Sequence, residues 1–139
     1  MTVLPHLETA RWRKLLWNIP FNGLTAVLGM GTDELLAAPS GRDLVVALME
    51  EVVAGARACG ADLGPSDVDD MVTLTEKMVP YRASMALDLE AGRPLEHGAI
   101  YGAPVRAAAA NGVAMPRVEA LWQALDLLDQ RNQARSTAR

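Results

Sequence analysis

The chain has 139 residues and a mass of 14.9 kDa, half of them hydrophobic and 22% charged. That is enough for one domain around a single core, and it argues against a disordered tail or a low-complexity array. A net charge of −4 and a pI near 5.1 argue against nucleic acid or an anionic membrane as a partner held by bulk charge. The single cysteine, Cys59, excludes an internal disulfide and a cysteine zinc cluster, and it fits a reducing cytosol.

The N-terminus lacks a basic stretch followed by an apolar run, and Glu8 comes early, so no signal peptide is expected and the location is read as cytoplasmic. Residues 15–32 carry no charge but include Asn18, Pro20, Asn22, Gly23 and Thr25. They read as a buried helix of a soluble core and not as a membrane span. The dominant period is helical throughout, without strand alternation.

The first helix is expected over residues 7–29, bent near Pro20 and Gly23, because proline removes a backbone donor and glycine weakens a helix. A short helix over 32–38 takes Thr32 as its N-cap. The next covers 40–58 and stops at Gly60. Ser66 is expected to cap a helix running to about Val79, with Asp67, Asp69 and Asp70 in its first turn. Pro80 kinks this helix or opens a new one that ends at Gly92. Another helix spans 96–111, ended by Asn111-Gly112. Pro116 suits the first position of the last helix, which runs to about Gln130, and 131–139 fray. With no internal repeat and no long linker, residues 1–139 read as one all-α domain.

On a helical wheel, Arg11, Lys14, Asn18, Asn22 and Thr25 share one narrow sector of the first helix. Apolar residues fill most of the rest, so the helix reads as buried on most sides. The thin stripe is either its exposed edge or a surface aimed at a ligand. Lys14 is one of only two lysines beside eleven arginines. Arginine cannot release a proton near neutral pH, whereas a desolvated lysine can; the bland alternative is a solvated surface lysine. Ser84 and Asp88 lie one helical turn apart and could form a polar pocket wall, although the pair taken alone favours a helix surface pair. Glu96 follows Gly92-Arg93-Pro94, where it reads as a site carboxylate or as a charge favoured at a helix start.

Other patterns lead nowhere. Gly29-Met30-Gly31 lacks the third glycine of a dinucleotide fingerprint and follows a helix. His6 and His97 have no metal-ligand spacing, and the acidic cluster at 67–70 lacks the glycine and distal glutamate of a calcium loop. No metal is expected.

Three blocks of residues stand out together. The first is Trp12-Arg13-Lys14-Leu15, then Asn18, Asn22 and Leu24-Thr25-Ala26. The second is Ser84-Met85-Ala86-Leu87-Asp88 followed by Gly92-Arg93-Pro94-Leu95-Glu96. The third is Gly102, Asn111-Gly112 and Pro116 before a leucine-rich closing helix. In order and spacing these blocks resemble the C-terminal domain of ketopantoate reductase (2-dehydropantoate 2-reductase), and the resemblance covers about residues 11–128.

It implies an all-helical bundle like the C-terminal domain of 6-phosphogluconate dehydrogenase. It implies that Lys14 protonates the ketone oxygen as hydride arrives, with Glu96 binding the substrate hydroxyl and setting the state of Lys14. Asn18 and Asn22 would bind or orient a small 2-keto acid, Ser84 would hold its carboxylate, and Asp88 would support the substrate-binding set. It further implies NADPH as cofactor of the complete enzyme, bound mainly by a Rossmann domain. No strand, glycine-rich turn and helix of that kind occurs in these 139 residues, so the resemblance reads the chain as an excised domain or a free-standing relative, inactive alone. An apolar face left by the missing domain would promote association, a homodimer for example.

Four positions depart from the family's usual pattern. Tyr81 replaces a polar or small residue, Leu95 a threonine, His97-Gly98 an Ile-Asp pair, and Gly23 a common proline. The alternative function is a free-standing, non-enzymatic helical module for dimerisation or small-acid binding.

Overall fold

A computed structural model of the chain describes residues 5–79 and 83–137. Among these residues seven α-helices follow one another: α1 (Pro5–Leu28), α2 (Thr32–Ala37), α3 (Pro39–Ala58), α4 (Pro65–Lys77), α5 (Ser84–Glu90), α6 (Ala103–Ala110) and α7 (Pro116–Thr137). A π-helical turn at Gly98–Gly102 leads directly into α6. There is no strand among the described residues, as the helical periodicity predicts. A far-ultraviolet circular dichroism spectrum of the chain is therefore expected to show helix without a strand component.

The second half of α1 is the axis of the bundle. It packs most extensively on α3 and α5, and then on α7. Leu16, Ile19, Phe21 and Leu24 are buried there, against Val45, Leu48, Met49 and Val52 of α3 and Leu125 of α7. A helix surrounded in this way needs apolar residues on most of its faces, which is why its hydrophobic pattern is so broad. Trp17 joins the packing with its ring centroid 5.0 Å from that of Phe21 and its indole N–H donating to Thr75 Oγ1 at 3.1 Å. No helix among the described residues is long and apolar enough to cross a membrane.

Several boundaries differ from the sequence expectation. α1 continues through Pro20 and Gly23 without a break, because both lie in its buried half, where packing outweighs local helix propensity. Gly31 and not Thr32 precedes α2, its N–H donating to Glu34 Oε1 at 3.1 Å. Gly64 and not Ser66 caps α4, and its N–H donates to Asp67 Oδ2 at 2.8 Å. Pro65 then occupies the first helical turn, where its missing donor costs nothing. The expected kink at Pro80 lies outside the described residues.

α7 extends beyond Gln130 to Thr137. The polar residues there still find partners, as when Asn132 Nδ2 donates to Leu89 O at 3.3 Å. The start of α7 is held from α3: the Glu51 carboxylate accepts from Arg117 N and Val118 N at 3.0 Å each. A carboxylate on the free donors of a helix N-terminus is a charge-assisted cap. Glu51→Ala is expected to lower unfolding free energy by about 1–2 kcal/mol, and Glu51→Gln by less. Urea denaturation of the three proteins checks the order.

Candidate functional site

The polar stripe of α1 runs from solvent into the core. Arg11 and Lys14 are exposed, Asn18 is half-buried, and Asn22 is buried. Thr25, fully buried, turns its hydroxyl back to Phe21 O at 2.6 Å and leaves the stripe. The stripe forms one wall of an open cleft of about 580 Å³. Ser84 from the start of α5, Glu96 from the following loop and Ala99 and Ile100 from the π-helical turn complete it, with Leu15 beside the stripe.

Lys14, Asn18, Asn22, Ser84 and Glu96 thus come together from three separate segments. Asp88 does not line this cleft. Its Oδ1 accepts from Arg93 Nε at 2.8 Å. That pair closes the turn in which Gly92, at φ +73°, ends α5 and reverses the chain toward Glu96.

Hydrogen bonds orient the amides. Asn22 Oδ1 accepts from Met85 N at 3.1 Å and from Ser84 Oγ at 3.3 Å. With its oxygen committed to the start of α5, Asn22 donates through Nδ2 to Asn18 Oδ1 at 3.3 Å. That bond fixes the Asn18 amide with its oxygen toward Asn22, so that its NH₂ can donate into the cleft. Asn22 therefore ties the first turn of α5 to α1 and sets both Ser84 and Asn18 in place.

Two cations, Arg11 and Lys14, and one carboxylate, Glu96, line the cleft. Their balance is positive, which suits a small anion, and Leu15, Ala99 and Ile100 add an apolar wall. Lys14 is exposed, so the residues of this chain do not supply the desolvation that would set it apart from a solvated surface lysine. The cleft is walled by α1 on one side and the 84–100 segment on the other, and its mouth is open.

Arg11, Leu15, Ala99 and Ile100 were not foreseen as lining residues. Arg11 already lies on the stripe, and Ala99 and Ile100 stand three and four residues after Glu96, the spacing that shares a helix face. Their signal was legible. The π-helical turn was not, and it decides their direction: it buries Tyr101 fully while Ala99 and Ile100 reach the cleft.

The family model described as ketopantoate reductase PanE/ApbA C terminal matches residues 6–129. A 2-dehydropantoate 2-reductase of Nostoc is 46% identical over 130 residues, covering 94% of this chain and 41% of the relative. The solved 2-dehydropantoate 2-reductase of Geobacter metallireducens superposes with a TM-score of 0.84 at 47% identity, over 87% of this chain and 41% of that one. A Staphylococcus aureus ketopantoate reductase, described as dimeric, gives a TM-score of 0.84 at 25% identity, over 94% of this chain and 46% of that one. The chain therefore spans less than half the length of these relatives.

Proposed function

The chain belongs to the ketopantoate reductase family as its C-terminal domain, and from that premise we propose that it forms the substrate-binding and proton-donating half of an NADPH-dependent 2-dehydropantoate 2-reductase. In this reading ketopantoate is the substrate and pantoate, a precursor of pantothenate, the product. The observation that carries it is the convergence of Lys14, Asn18, Asn22, Ser84 and Glu96 on one cleft.

The described residues contain no strand, and Gly29 and Gly31 stand between two helices. They offer no strand-to-helix turn for a dinucleotide pyrophosphate. Cofactor binding is therefore assigned to the part of the relatives' length that this chain does not span. Hydride is what NADPH supplies there; the residues of this chain bind, orient and donate the proton.

The substrate carboxylate is assigned to Ser84, beside the start of α5, whose hydroxyl turns its one proton from Asn22 Oδ1 to the anion on binding, while Met85 N–H keeps its bond to Asn22 Oδ1. The Asn18 NH₂ donates to a substrate oxygen across the cleft. Lys14 Nζ, one turn up the same stripe, holds a proton for the ketone oxygen, which gains negative charge as the carbonyl is reduced. Glu96 accepts from the substrate hydroxyl and balances the ammonium. Leu15 and Ile100 supply an apolar surface for the substrate's branched carbon.

Nuclear magnetic resonance of the 139-residue chain tests this. Added ketopantoate is expected to shift the side-chain amide signals of Asn18 and Asn22. Unchanged amides at millimolar ketopantoate would leave the helical module without a keto-acid site. NADPH, in contrast, is expected to bind this chain more weakly than micromolar in a calorimetric titration, because no phosphate-cradling turn is present among the described residues. Micromolar affinity would overturn the division of labour between the two halves.

A further inference from the structure

The loop that carries Glu96 is tied to α7 on both sides of that residue. Before it, Leu95 N–H donates to Asp129 Oδ1 at 3.1 Å. After it, the Trp122 indole N–H donates to His97 Nδ1 at 3.0 Å. His97 Nε2 lies 3.5 Å from Asp126 Oδ1 and 3.5 Å from Asp129 Oδ2. An indole N–H can only donate, so Nδ1 is the acceptor and the ring proton sits on Nε2, facing the two carboxylates. Asp129 thus serves both ties at once, one oxygen for each.

Glu96, between these anchors, has no hydrogen bond or ion pair of its own among the described residues, and it lines the cleft. Its direction is set by the backbone on either side. An isoleucine at position 97 could form none of the polar contacts seen here.

We propose that His97, locked by Trp122, Asp126 and Asp129, is the positioning residue that holds Glu96 at the cleft, an inference that rests on reading the cleft as a keto-acid site. The clamp stands on the far side of the loop and touches no substrate. It acts by denying the loop the freedom to carry Glu96 away, so that the carboxylate needs no ordering when substrate arrives.

His97→Phe keeps a ring of similar size and removes both nitrogens. In the 139-residue chain, the backbone order parameter of Glu96 is expected to fall from about 0.85 to below about 0.6, with α1 and α7 unchanged. Asp129→Asn keeps an acceptor for Leu95 N–H but removes the charge facing His97, so a smaller fall is expected; it carries the same test should His97→Phe not fold. Affinity for ketopantoate supplies the second readout. His97→Phe is expected to weaken it about tenfold in the parent, and by no more than about twofold when Glu96→Gln is already present, because a residue acting through Glu96 has nothing left to position. A Glu96 amide as rigid in both variants as in the parent overturns the proposal, and so does an equal loss in the two backgrounds. Failure of ketopantoate to bind the parent removes the keto-acid reading instead, and the order parameter alone then decides the clamp.

Discussion

Lys14→Arg is expected to lower kcat by roughly 10²-fold or more when this domain is joined to a cofactor-binding half. Reduction of a ketone leaves charge on oxygen, and a donor within hydrogen-bond reach must both stabilise and protonate it. Lys14 shares the stripe with Asn18 and lines the same cleft as Ser84, so a keto acid held by those two presents its carbonyl to the ammonium. Arginine preserves the charge that attracts the anion but does not give up a proton near neutral pH, and its planar fork fits the site differently. KM is therefore expected to change much less than kcat. Asn18→Ala should show the opposite split, because in the proposed role its amide would bind the ground state and the transition state alike. Steady-state kinetics between about pH 6 and 9 decide the matter: turnover by Lys14→Arg near the parent rate would return Lys14 to the status of a surface lysine.

Tyr101→Ala is expected to cost about 3–5 kcal/mol of stability, a large share of what a domain of this size possesses. Tyr101 is fully buried among α1, α7 and the π-helical turn, and its hydroxyl donates to Ile19 O. Removing the ring opens a cavity beneath the cleft wall and frees the turn that carries Ala99 and Ile100. Gly23 is the other half of this contact. A Cβ there would lie 2.5 Å from the Tyr101 hydroxyl and 2.6 Å from Leu121 Cδ2, so Gly23→Ala is expected to cost about 1–3 kcal/mol by overpacking. Adding Tyr101→Phe relieves one of the two clashes, and the double variant should lose less than the sum of the singles.

Burial also pushes the Tyr101 phenol above its ordinary value of 10.0. The folded state keeps the proton that the unfolded chain releases, so this contribution is fully present below pH 10.0 and is lost progressively above it. Tyr101→Phe is expected to flatten that part of the alkaline limb in denaturant titrations.

Much of this protein was legible in its residues taken in order. The helical period determined an all-α fold, and Gly60, Gly92 and Asn111-Gly112 marked helix ends at or next to their places in the structure. The narrow polar sector of α1 held four of the residues that line the cleft, Arg11, Lys14, Asn18 and Asn22, because a helix packed on most sides can spare few polar positions; its fifth member, Thr25, is buried. These are local properties, written in spacing and backbone preference.

What neighbours supply was not legible. The sequence suggests Ser66 as the cap of α4, yet Gly64 takes that place because Asp67 can reach its N–H. The bend expected at Pro20 gave way to continuous helix, since burial against α3, α5 and α7 outweighs one missing donor. Glu51 on α7, and Asp129 and Trp122 on the Glu96 loop, act across 66, 34 and 25 residues of chain respectively, distances over which no periodicity runs. The wheel could place Lys14, Asn18 and Asn22 on one line, but only the folding of α5 and the π-helical turn against α1 brings Ser84, Glu96 and Ile100 to face it. A pattern along the chain specifies which face of a helix is polar; the packing of other helices decides what that face meets.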